Sequence, residues 1–144
     1  MNSKQYKELV NELTPKENKL LNLILAFIAG GTLGAIGVGL KDLYLMLGNS
    51  QENSVIYMIL TLIAIAAVGT ALGWFDKLAT IFKAGVLIPI TGFSHATVAA
   101  AMDSKEEGLV MGVGANIFKL TGSVFVFGVL GATIATLIKL YIGG

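Results

Sequence analysis

An all-α polytopic membrane protein is the fold class this sequence predicts, and three observations predict it. Hydrophobic residues make up 55% of the 144 residues and charged residues only 13%, about half the charge a soluble domain carries. Two runs of about 20 residues, Leu20–Leu40 and Val55–Trp74, hold no charge and match a hydrocarbon core about 30 Å thick. A third apolar stretch, Leu109–Ile142, is longer than one crossing requires. Three full transmembrane helices are therefore expected, with a broken helical segment between the second and the third.

Composition also excludes. The net charge is +1 and every basic residue is a lysine, so no bidentate arginine reads phosphate or base edges and nucleic acid is not an expected partner. With no cysteine there is no disulfide, thiolate metal site or cysteine nucleophile. The long polar start, and the lack of a small-x-small site after the first apolar run, argue against a cleaved signal. The chain divides into 1–19, an amphipathic N-terminal segment, and 20–144, a single helical membrane domain.

In the first segment Tyr6, Leu9, Val10 and Leu13 recur at helical spacing, which predicts a short amphipathic helix, either lying on the membrane surface or simply frayed. Thr14-Pro15-Lys16-Glu17 has the spacing of a capping box with proline in the first turn, so a new helix is expected to begin there. The first span follows. Its Gly30-x-x-x-Gly34 pair lets another backbone approach closely, within the chain or on another subunit.

Lys41 to Ser54 is expected to be a polar connection with Tyr44 and Tyr57 at the membrane–water interface. The second span carries Gly69-x-x-x-Gly73 and ends on Trp74 as an interfacial anchor. Four lysines precede the first span, one follows it, and Lys77 and Lys83 follow the second. The positive-inside rule then places the N-terminus and the 77–83 region on the cytoplasmic side.

Segment 84–102 is long enough to cross, but Pro89 removes a backbone donor and Gly92 follows closely. Thr91, Ser94, His95 and Thr97 are polar for a lipid-facing helix. Broken backbone at membrane depth persists only where protein or a water-filled cavity satisfies it. A re-entrant hairpin of two half-helices around Pro89, Gly92 and Phe93 is expected, with a kinked crossing helix, hence four spans, as the alternative.

Catalytic templates fail. One histidine makes no histidine metal cage, and Gly92-Phe93-Ser94-His95 lacks the second glycine of a nucleophile elbow and an acid placed to orient the imidazole. Gly112-Val-Gly114 lacks the third glycine of a dinucleotide site. No enzyme, no cofactor and no metal is expected. Lys119 carries more information. A charge at bilayer depth costs about 2.5–3.5 kcal/mol, so it faces a polar path or snorkels to the interface. Asn116 and Ser123 share its helix face. With Thr91 and His95 these three are the candidate lining of a solute path.

Three motifs stand in order: Pro89-Ile-Thr91-Gly92-Phe93, Glu107-Gly108-Leu-Val-Met-Gly112-Val113, and Asn116-Ile-Phe118-Lys119-Leu120-Thr-Gly122. With them the chain resembles the stage V sporulation protein A (SpoVA) membrane subunits of spore-forming Firmicutes, over nearly its whole length from the first span. The Asn-x-Phe-Lys-Leu wording and polar N-terminal extension are nearer the AC than the AEb branch. The resemblance implies a channel or transporter subunit of the forespore and spore inner membrane. It would move dipicolinic acid as its calcium chelate, inward in sporulation and outward in germination, and open under membrane tension. It also implies a SpoVAEb-like paralogue and a soluble SpoVAD-like subunit as partners in a hetero-oligomer. Lys77, Lys83, Asp103, Glu106 and Glu107 are the candidate contacts for a soluble partner. The rival expectation is a non-conducting scaffold that anchors that partner and stabilises a paralogue.

Overall fold

The computed structural model describes residues 18–142, and among these there is no strand. The amphipathic segment and the Thr14–Glu17 capping box lie outside the described residues. Helix α1 spans Lys19–Met46 and starts on Asn18, whose side chain accepts from the Leu21 amide at 3.4 Å. That bond satisfies one of the amides left open at a helix start. The span is 28 residues long, so Lys41 and Asp42, expected in a loop, form its last turns instead. Helix α2, Gln51–Ala71, begins at Ser50, whose hydroxyl accepts from the Asn53 amide at 3.3 Å. The predicted connection of 41–54 thus shrinks to four residues, 47–50. Loss of hydrophobicity at the interface does not end a helix; α1 ends where Gly48 takes φ 86°.

The hairpin of α1 and α2 closes on Tyr44. Its ring lies 5.5 Å from that of Tyr57, and its hydroxyl pairs with Thr61 Oγ1 at 2.7 Å. Gly37 sits where an added Cβ would be 3.4 Å from Met58 Sδ.

The second span ends earlier than predicted. Gly73 takes φ 72° and stops α2, and Trp74 opens a new helix, α3, over Trp74–Phe82. Gly73 is therefore a helix terminator, where a side chain would be strained, and not a packing contact. In α3, Phe75, Ala79 and Phe82 turn to the small core, which consists of Ala29, Ala66, Phe75 and Val86. Lys83 then takes φ 48°, ψ −125°, the only non-glycine positive φ among the described residues.

The broken segment is present as expected, with unequal pieces. Helix α4, Ala84–Leu87, is a single turn, and α5, Ile90–Asp103, has 14 residues. The break falls at Ile88–Pro89, because proline cannot donate to the turn before it. Gly92 lies inside the first turn of α5, where a Cβ would strike the Leu87 carbonyl. Helix α4 packs on α1, while α5 packs on α2 in the most extensive helix–helix contact of the molecule. Gly85 is the closest approach between α4 and α1: an added Cβ would collide with the Ala26 carbonyl and lie 2.9 Å from Ala29 Cβ.

After a 3₁₀ turn at Lys105–Glu107, Gly108 at φ 96° redirects the chain. Leu109–Gly114 is π-helical, with the Val113 amide reaching back to the Gly108 carbonyl at 3.0 Å. It runs straight into α6, Ala115–Ile142. The spans predicted from length are therefore present as three long apolar helices, Lys19–Met46, Gln51–Ala71 and Leu109–Ile142. Their outward faces carry large exposed apolar side chains such as Phe27, Ile65, Phe125 and Phe127, as expected where the surrounding solvent is lipid.

A candidate functional site at the helix break

Thr91, Ser94 and His95 are each tied to a neighbouring element, while Thr97 donates to the Phe93 carbonyl of its own helix. Thr91, 4% exposed, donates from Oγ1 to the Val86 carbonyl at 3.1 Å, bridging the two sides of the proline break. Ser94, equally buried, donates to the Ile63 carbonyl at 2.9 Å and pins α5 to α2. Such bonds replace the water that the freed backbone groups lack in lipid.

His95 is the centre of this cluster. Its Nδ1 lies 3.1 Å from Thr70 Oγ1, its ring stacks on Phe75 with centroids 4.6 Å apart, and its Nε2 is 3.6 Å from Asp76 Oδ1. The sequence reading gave the imidazole no acidic partner; the fold supplies one. Thr70 has one hydroxyl proton, and the Ala66 carbonyl stands 2.7 Å away to take it. His95 Nδ1–H is then the donor to Thr70. A Thr–His–Asp series resembles hydrolytic machinery on paper. Here Thr70 is 4% exposed and bonded to its own helix, so it presents no oxygen to a substrate. The cluster instead joins α2, α3 and α5 in one place. Sequence reading missed Thr70, Phe75 and Asp76 because the packing of α5 on α2 brings His95 to Thr70 and the turn at Gly73 brings it Phe75 and Asp76.

The predicted stripe on the last helix is arranged differently. Asn116 is half-buried and donates from Nδ2 to Ser104 Oγ at 2.7 Å and to the Gly112 carbonyl at 3.1 Å, fastening α6 to the end of α5. Lys119 and Ser123 are exposed, and Ser123 bonds the Leu120 carbonyl of its own helix. The stripe therefore splits: Asn116 is a structural tie, and only Lys119 presents a free-standing polar group on the outer face of α6. Phe93 is half-buried at the start of α5. Of the expected packing glycines, Gly30 faces the Gly85 carbonyl at 3.7 Å, while nothing lies within 4 Å of a Cβ at Gly34 or Gly69. Lys77, Asp103, Glu106 and Glu107 are exposed and Lys83 is half-buried.

Comparison with known proteins bears on this arrangement directly. A family model described as SpoVAC/SpoVAEB sporulation membrane protein matches residues 22–138, from the first turns of α1 to near the end of α6. The chain belongs to the SpoVAC/SpoVAEB family. It is 39% identical over 135 residues to stage V sporulation protein AC of Bacillus subtilis (strain 168), covering 93% of this chain and 90% of that protein. No solved structure matches it. As a SpoVAC/SpoVAEB chain with three long apolar helices, it is a multi-pass sporulation membrane protein. The family match contains the whole broken segment, the His95 cluster and the Ser104–Asn116 tie.

Proposed function

We propose that this chain is a non-enzymatic subunit of a SpoVA complex of the spore inner membrane that carries dipicolinate, as its calcium chelate, across the bilayer. The observation that carries the reading is α6. No residue of this 28-residue helix is buried, and it bears Lys119 exposed within apolar sequence. An ammonium at that depth is stabilised by a partner or a polar path. The path then lies between the Lys119 face of α6 and a neighbouring subunit such as a SpoVAEb-like paralogue. Within the single chain, Thr91, His95 and Asn116 hold the frame together. Lys119 offsets the charge of a dicarboxylate at the subunit boundary. A soluble SpoVAD-like partner covers the charged edge that includes Asp103, Glu106 and Glu107.

The position of His95 favours the re-entrant course over the crossing one. Pro89 and Ile90 lie beside Met58 and Leu62 in the middle of α2, whereas His95 lies 3.1 Å from Thr70 and 3.6 Å from Asp76, near the end from which α4 departs. The residues left between His95 and the end of α5 at Asp103 rise only about 12 Å, too little to reach the other side of a core about 30 Å thick, so Ser104 lies on the side of Lys83. Opening under tension is consistent with the Gly30–Gly85 contact, where two backbones meet without interlocking side chains.

Dipicolinate release from spores carrying Lys119→Leu tests the path. Slower release, restored by Lys119→Arg, is expected; unchanged release would remove Lys119 from the path and favour the scaffold reading, in which only edge residues such as Lys77 and Glu106 matter. Impermeant thiol labelling of Ser104→Cys in this cysteine-free chain separates the courses. Labelling on the same side as Lys83→Cys is expected; labelling on the opposite side would restore the crossing one.

A further inference from the structure

An apolar groove of about 570 Å³ opens between α1, α2 and α3, with Val86 of α4 and Thr91 of α5 also in its lining. Its walls include Leu33 and Ile36 of α1, Ile65 and Leu72 of α2, and Leu78 of α3. That volume falls within the roughly 300–1,000 Å³ of small-molecule sites. The groove contains no charged side chain, and the Thr91 hydroxyl at its inner end is already bonded to Val86. A dicarboxylate has nothing to pair with there. A hydrocarbon chain does not need anything.

Helix α3 supplies the rest of the site. Trp74, Leu78 and Ile81 lie along one of its sides and are exposed, and Phe75, Ala79 and Phe82 pack inward beside them. Asp76, Lys77 and Thr80 occupy the opposite arc, the pattern of a helix lying in the membrane interface. At 100° per residue the two charges part company on that arc. Asp76 turns toward His95, 3.6 Å away. Lys77 falls at the other edge of that arc, next to Ile81 and Trp74 and outside the groove's own lining. Trp74 lines the groove and is 65% exposed, as for an aromatic ring at headgroup level. Gly69 opens the space beneath, because it lines the groove and no atom lies within 4 Å of where its Cβ would be.

From this geometry we infer that the groove is a site for one acyl chain of an anionic phospholipid, whose phosphate pairs with Lys77. The charge separation on α3 selects an anionic headgroup, and the missing side chain at Gly69 makes room for the chain beneath it.

Photolabelling tests this with the full-length protein in vesicles of phosphatidylglycerol and phosphatidylcholine. The probe is phosphatidylglycerol bearing a diazirine on one acyl chain, with labelled residues located by mass spectrometry. Labelling should concentrate on 62–72 of α2 over the lipid-facing Phe125–Phe127 stretch of α6. Gly69→Leu should lower it about tenfold, the loss expected if the added side chain displaces about two methylenes, and leave α6 labelling unchanged. Lys77→Gln should abolish the preference for phosphatidylglycerol over a phosphatidylcholine probe. Equal labelling of α2 and α6 in the unmodified protein would mean ordinary surrounding lipid and overturn the site, whatever the variants do. So would disulfide cross-linking between copies carrying Ile65→Cys, because a second protein chain would then fill the groove.

Discussion

Replacing Gly85 by alanine isolates what holds the broken segment against the first span. The added Cβ would collide with the Ala26 carbonyl and stand 2.9 Å from both Ala26 Cα and Ala29 Cβ. Carbon–carbon contacts are comfortable at about 3.5–4.0 Å, so α4 must retreat from α1 by at least about 0.6 Å. Neither side has a flexible group to give way, since the obstructing atoms are backbone and an alanine methyl. Overpacking of this kind costs about 1–3 kcal/mol. The retreat also pulls on Val86, whose carbonyl receives Thr91 and whose side chain is part of the core. Unfolding by sodium dodecyl sulfate in mixed micelles, followed through the emission of Trp74, the only tryptophan, measures the loss. Gly34→Ala is the control: nothing lies within 4 Å of its Cβ, so its stability should change by no more than about 1 kcal/mol, and upward through helix propensity. Equal unfolding midpoints for Gly85→Ala and the unmodified chain would refute the close contact, and so would an equal loss in Gly34→Ala.

Other residues make separate predictions. Lys83 holds a positive φ that costs a side chain about 1–3 kcal/mol, so Lys83→Gly should unfold at higher detergent than Lys83→Val; the reverse order would show that the strain is not there. Ser104→Ala should cost about 0.5–1.5 kcal/mol by removing the Asn116 partner, and a double-mutant cycle with Asn116→Ala should give coupling near 0.6 kcal/mol, the average for bonds between membrane helices. Additive losses would deny the tie. His95→Leu should loosen α3 from α5 and increase amide exchange at 75–82, while leaving Tyr44–Tyr57 at the far end of the hairpin undisturbed; protection unchanged at 75–82 would deny the cluster its joining role.

The long helices were legible because their lengths are set by a solvent of fixed thickness, and runs such as 20–40 announce that directly. The break was legible because Pro89 lacks an amide hydrogen. That the piece before it is a single turn was not legible, since it begins at the positive φ of Lys83 and packs through Gly85 on Ala26, and neither carries a local sign in the sequence. The glycine pairs were legible only in part for the same reason. Gly30-x-x-x-Gly34 and Gly69-x-x-x-Gly73 have the same spacing, yet only Gly30 touches another helix, Gly73 ends one, and Gly34 and Gly69 leave open space. Spacing marks where a backbone could approach, and tertiary arrangement decides whether one does. Asp76 carries no sign of its partner in the sequence, because His95 reaches it only after the chain has turned at Gly73, Lys83 and Pro89.

Helix α6 has the mechanical character of a lever. Its 28 α-helical residues extend about 42 Å, beyond a hydrocarbon core of about 30 Å, so a bilayer that thins under stretch tips it further from the normal. Within this chain that torque arrives at one short fulcrum, the π-helical turns held by Gly108, Gly112 and the Asn116–Ser104 bond. Changes in membrane thickness therefore reach the end of α5 first and the α1–α2 hairpin last.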